Sequence, residues 1–153
     1  MSITSGATRR TFLRTAAGGV AALTLAPALA IADAKMVADE IGKLFGAKPL
    51  KEGRIKLDLP SIAENGLVVP LSFEVESPMT DADYVKAVHI FAEGNPNPLV
   101  AAFAFTPLAP KAAAWIRIRL AQTQNIVAVA EMSNGDLYTT KKEVKVTIGG
   151  CGG

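Results

Sequence analysis

The chain has 153 residues, 16 basic against 14 acidic, with one histidine and one cysteine. That length is one domain's worth of polypeptide, and a single cysteine excludes a framework of intrachain disulfides. No set of His, Cys and carboxylate residues has metal-ligand spacing, and the near-balanced charge removes the electrostatic case for a nucleic-acid or anionic-membrane partner.

The first segment reads as an export signal. Thr8-Arg9-Arg10-Thr11-Phe12-Leu13-Arg14 places paired arginines ahead of Phe12 and Leu13. A mildly apolar stretch follows from Thr15 to Ala32, closed by the small-x-small sites Ala28-Leu29-Ala30 and Ala32-Asp33-Ala34. A positive start, a short apolar run and a cleavage site form a secretory signal. The twin arginines Arg9 and Arg10 point to the bacterial route that exports folded proteins. Gly18, Gly19 and Pro27 argue against an uncleaved membrane anchor. The expected organisation is a signal over 1–34, a globular domain over 35–148 and a terminal arm over 149–153. Residues 1–34 hold three arginines and one aspartate, so the remainder carries 13 basic and 13 acidic residues. The expected location is the periplasm, with no membrane insertion after cleavage.

The domain opens with a helical pattern. Over Lys35–Ala47, Val37, Ile41, Leu44 and Phe45 repeat at helical spacing, and Gly46 and Pro49 mark the end. The period then becomes two. Leu71, Phe73 and Val75 alternate with polar residues, as do Ile116, Ile118 and Leu120, and Val144, Val146 and Ile148. One apolar and one polar face per run describes a half-buried antiparallel strand. Further strand-like runs are 54–59, 84–91, 99–105 and 126–132. The last is nearly all apolar and is expected at the centre of a sheet. Asn65-Gly66, the 94–98 segment and Asn134-Gly135 carry turn chemistry, the last as a two-residue hairpin. Seven or eight short strands in about 100 residues predict a mainly β fold, an immunoglobulin-like antiparallel β-sandwich with a short N-terminal helix and a flexible C-terminal arm. A small barrel is the alternative.

Catalytic residues are scarce. His89 lies in a strand-like run, where a lone histidine is usually structural. Asp81 and Asp83 sit in a loop and read as loop or cap residues, since a general acid–base pair needs a cleft. Trp115 is balanced between packing and interface.

The sequence Gly149-Gly150-Cys151-Gly152-Gly153 is different. No apolar residue lies within two positions of the sole thiol, which argues against the usual fate of a lone cysteine as a small buried hydrophobe. Glycines leave the sulfur unshielded and the backbone free. In an oxidising compartment such a thiol must be capped, joined to another chain or loaded with cargo. A reactive atom without catalytic residues around it fits a substrate protein better than an enzyme.

The twin-arginine leader, Ser77-Pro78-Met79-Thr80, Phe105-Thr106-Pro107, Arg117-Ile118-Arg119-Leu120, the 127–132 run and Val144 through Gly153 resemble the SoxY family, the sulfur carrier subunits of the bacterial Sox thiosulfate-oxidising system. The likeness covers essentially the whole chain and is most specific at the Gly-Gly-Cys-Gly-Gly stretch. It implies an immunoglobulin-like fold, a periplasmic heterodimer with SoxZ, and Cys151 as the covalent attachment point for sulfur intermediates, with no resident cofactor. It also implies transient contact with the haem enzyme SoxXA, with SoxB and, where present, with SoxCD. Two other readings stand beside it: an exported binding module that uses Cys151 only to cross-link subunits, and a ubiquitin-like carrier acting through Gly152-Gly153. The second needs ATP-dependent activation, which the export signal and the β-rich body oppose.

Overall fold

A computed structural model describes residues 33–149. Helix α1 (Ala34–Phe45) comes first, and Asp33 caps it: its carboxylate accepts from the Met36 amide at 2.9 Å. The helix therefore straddles the boundary expected between residues 34 and 35. Nine strands follow: β1 (Leu50–Glu52), β2 (Ile55–Asp58), β3 (Ile62–Asn65), β4 (Val69–Val75), β5 (Val85–Ala92), β6 (Leu99–Ala104), β7 (Ala112–Ile118), β8 (Gln124–Met132) and β9 (Leu137–Ile148).

They form a two-sheet sandwich. The larger sheet runs β1-β9-β8-β5-β6, with β3 also paired to β9, and the smaller runs β2-β4-β7. The period-two pattern decides what each strand buries. Val69, Leu71, Phe73 and Val75 of β4 all point inward, and they meet Val88 and Ile90 of β5, Ile126, Ala128 and Ala130 of β8, and Val144 of β9. Removing such side chains from water is the main stabilising contribution to the fold.

Strand β8 is central, between β5 and β9, and covered on both faces as its composition requires. Its other face, with Phe91, packs under Val37 and Ile41 of α1. Phe45 joins this cluster, whereas Leu44 stays exposed at its rim. A hairpin forms at Asn134-Gly135 between β8 and β9, but its loop has three residues, Ser133 to Gly135, and not the expected two: the Met132 amide donates to the Asp136 carbonyl, the Gly135 amide donates to the Met132 carbonyl, and Gly135 alone of the pair takes a positive φ, 86°.

Two features depart from the expected all-antiparallel sandwich of seven or eight strands. β1 and β3 are additional, and both run parallel to β9. They contain three and four residues, too few for either to show a period. Trp115 is not a core anchor: it stands exposed on the outer face of the smaller sheet, with the Arg117 guanidinium 5.2 Å from its ring centre.

Candidate functional site: the root of the arm

Arg9, Arg10, Phe12, Leu13, Gly150, Cys151, Gly152 and Gly153 lie outside the described residues. Gly149 lies within them, so the structure shows how the body holds the root from which Cys151 extends.

β9 is long and is gripped on both sides. On one side it pairs with β8 as far as Val144, opposite Gln124. On the other it pairs first with β1 and then with β3, from Ile62 opposite Lys145 to Asn65 opposite Ile148. Beyond the β8 ladder, single bonds continue the hold. The Lys145 amide donates to the Ser61 carbonyl at 3.0 Å, and the Val146 amide to Thr123 Oγ1 at 2.9 Å. The Gly66 amide donates to the Ile148 carbonyl at 2.8 Å, and the Gly66 carbonyl accepts from Leu120 at 2.8 Å. The backbone is therefore pinned up to the residue before Gly149.

Gly149 then passes under the loop that joins β7 to β8. A Cβ at this position would collide with the Ala121 carbonyl oxygen. This is a close approach of two backbones, which only glycine permits. The loop itself is held from a distance. The Asn95 side chain donates to the Arg119 carbonyl at 2.8 Å and accepts from the Ala121 amide at 3.0 Å and from Gln124 Nε2 at 3.0 Å. Gln124, buried, accepts in turn from the Gly94 amide at 2.6 Å. In the sequence, Asn95 carries only a turn signal. Its contacts lie 24 and 26 residues away, beyond any local pattern.

The other candidates stay apart from the root. His89 lies level with Val129 and, across the next strand, with Thr139. Thr139 is nine residues from Ile148, about 30 Å along β9 at roughly 3.3 Å per residue. Cys151 is three residues past Ile148, a reach of about 10 Å, so His89 cannot serve it as a base. His89 packs instead beneath α1, edge-on to Phe45 at 5.1 Å and stacked on Phe91 at 6.3 Å. Its Nδ1 is buried without a partner, and burial lowers its pKa from the usual value, opposed by the smaller effect of Glu131. Asp83 closes a turn with Thr80 and lies 3.8 Å from Arg54, a loop role as its setting implied. Among the described residues no group of three His, Cys, Asp or Glu side chains could hold a metal. A groove of about 910 Å³ lies between α1 and the sheet, lined by residues such as Val37, Ile41, Leu50 and Val127, and no described residue of the arm root borders it.

A family model described as sulfur oxidation protein SoxY matches residues 41–151, from α1 through Cys151. The chain belongs to the SoxY family. The solved structure of the sulfur carrier protein SoxY from Chlorobium limicola f thiosulfatophilum is 36% identical, with a TM-score of 0.65 over 76% of this chain and 100% of that one. The superoxide reductase (neelaredoxin) of Ignicoccus hospitalis matches at 21% identity and TM-score 0.55, over 69% of this chain and 85% of that one. A putative superoxide reductase from Thermotoga maritima matches at 14% identity and TM-score 0.55, over 63% and 93%. At those identities the likeness is one of fold, so SoxY proteins share their sandwich with neelaredoxins. No curated protein sequence matches.

Proposed function

We propose that this SoxY protein is a periplasmic sulfur carrier, exported by the twin-arginine route, and that Cys151 bears its cargo. The observation that carries the reading is the fixed root: β9 is pinned through Ile148, two residues before Gly150 and three before the only thiol. A rigid body with a short glycine-flanked extension delivers one atom into another protein's active site. The solved SoxY relative, described as a sulfur carrier, supports the same reading.

The family chemistry then applies at Cys151. The Cys151 thiolate and the outer sulfur of thiosulfate lose two electrons to the haem enzyme SoxXA and form a sulfur–sulfur bond, giving a cysteine S-thiosulfonate. Water then attacks the terminal sulfone group under SoxB, and sulfate leaves with two protons released, so a persulfide anion remains on Cys151. SoxCD, where present, oxidises that sulfane sulfur. The thiolate is the reacting form. His89 lies too far along the sheet to make it, and in this reading each partner enzyme activates the thiol within its own site. SoxZ is the stable partner in this reading.

Replacing Cys151 with serine in the complex with SoxZ tests it. Thiosulfate-dependent turnover by the reconstituted enzymes should vanish, with folding and SoxZ binding retained. Full activity of the variant would end the proposal. The intact mass of the native protein separates the carrier from the cross-linking module: sulfur or sulfonate on the Cys151 peptide supports the former, a fixed intersubunit disulfide without adducts the latter.

A further inference from the structure

Large apolar side chains are bare where the arm leaves the body. Ile148 is 68% exposed, Val68 54% and Leu67 44%. They belong to one place. Asn65 pairs with Ile148, and the Gly66 amide bonds the Ile148 carbonyl. Leu67 and Val68 follow Gly66 directly, so the turn that presents them is tied to the arm root. Their exposure is not that of a loose loop. Gly66 is bonded through both its amide and its carbonyl, the Leu67 amide donates to Asn65 Oδ1 at 2.9 Å, and Val69, next in the chain, is fully buried.

The length of chain beyond the root says what covers this collar. Three residues separate Cys151 from Ile148, and an extended chain spans about 3.3–3.6 Å per residue. Any active site that takes the sulfur must therefore bring its entrance to within about 10 Å of Ile148. The protein surface around that entrance then lies over Ile148, Leu67 and Val68. An exposed apolar patch on a rigid turn gains most from such coverage.

We propose that Leu67, Val68 and Ile148 form the docking footprint for the enzymes that act on Cys151, and that those enzymes carry an uncharged apolar rim around their active-site entrance. This rests on the carrier reading. One footprint that precedes the arm gives every such enzyme the same entry geometry, whatever chemistry it performs.

The test uses the full complex with SoxZ and the double variant Leu67→Glu/Val68→Glu. Both positions are exposed, so folding should be retained. Leu108→Glu is the control: Leu108 is 94% exposed and lies in the β6–β7 connection, near the Ala112–Val75 pair at the end of the sandwich away from Val69 and Gly66. The double variant should raise the carrier concentration needed for half-maximal loading and sulfate release by tenfold or more, with the limiting rate little changed. Alkylation of Cys151 by iodoacetamide should proceed at the wild-type rate, and Leu108→Glu should behave as wild type. Unchanged kinetics in the double variant would overturn the proposal. So would an equal effect of Leu108→Glu, or loss of SoxZ binding by the double variant, which would assign the collar to the subunit interface. A wild-type protein with no sulfur adduct on Cys151 would sink the carrier reading itself, a result distinct from all of these.

Discussion

Gly149 and Ala121 meet backbone to backbone, 28 positions apart in the chain, with no room between them for a Cβ. The contact fixes the backbone at the start of the Gly-Gly-Cys-Gly-Gly stretch. Asn95 supports it from the other side by holding the Ala121 amide and the Arg119 carbonyl. The first glycine of the Gly-Gly-Cys-Gly-Gly stretch is thus a packing residue of the body.

Gly149→Ala should therefore destabilise the root. Forcing a methyl into a filled site costs about 1–3 kcal/mol, released here by lifting the end of β9 from Gly66. The Gly66 amide, which donates to Ile148, should lose protection against hydrogen exchange, and the melting midpoint should fall. Gly42→Ala is the contrast. A Cβ there meets nothing within 4 Å, and alanine inside a helix is favoured over glycine by about 0.5–1 kcal/mol, so that variant should be slightly more stable. Unchanged Gly66 exchange in Gly149→Ala would show that the close approach can relax freely.

His89 makes the seat of α1 sensitive to acid. Burial lowers its pKa, so the folded state favours the neutral ring. Below the unfolded value of about 6.5 the unfolded chain binds a proton more readily than the fold does. This contribution to stability is complete above that pH and is lost as the pH falls through the depressed folded value. Thermal melts at pH 7.5 and pH 5 should show a larger loss for the wild type than for His89→Phe, which keeps an aromatic ring against Phe45 and Phe91. Equal losses would mean that His89 binds its proton as readily in the folded protein as in the unfolded chain.

Asp33 bears on where the proposed leader would be removed. It caps α1 through the Met36 amide, and its carbonyl accepts from Val37 at 3.1 Å. Cleavage after Ala34 would remove that cap, whose replacement by alanine typically costs about 1 kcal/mol. Cleavage after Ala30 would keep it. The intact mass of the exported protein should correspond to a chain that begins upstream of Asp33. A mass that starts at Lys35 would contradict this, and Asp33→Ala should lower the melting midpoint measurably if the cap is present.

Much of the body was legible in the residues alone. The alternation of Leu71, Phe73 and Val75 named the buried face of β4, the apolar run of β8 named the central strand, and the stripe of Val37 and Ile41 named the contact face of α1. Each succeeded because burial on a strand or helix repeats at the period of that element. Asn134-Gly135 marked the place of a hairpin because the turn depends on the backbone freedom of Gly135, although the loop has three residues and not two. The lone thiol of Cys151 and the paired Arg9 and Arg10 are also plain in the sequence, and the roles proposed for them rest on residue type alone.

The tertiary structure decided what no local period can carry. β1 and β3 become strands only because β9 offers them a parallel edge. Trp115 lies outside the core because its place on β7 faces away from the larger sheet. Asn95 reads as a turn residue until the fold brings Arg119 and Ala121 to it. In the same way, all four glycines around Cys151 look like slender flexible chain when only neighbours along the sequence are considered. The fold assigns Gly149 a different duty, because the Ala121 carbonyl that demands a glycine there arrives from a loop 28 residues away.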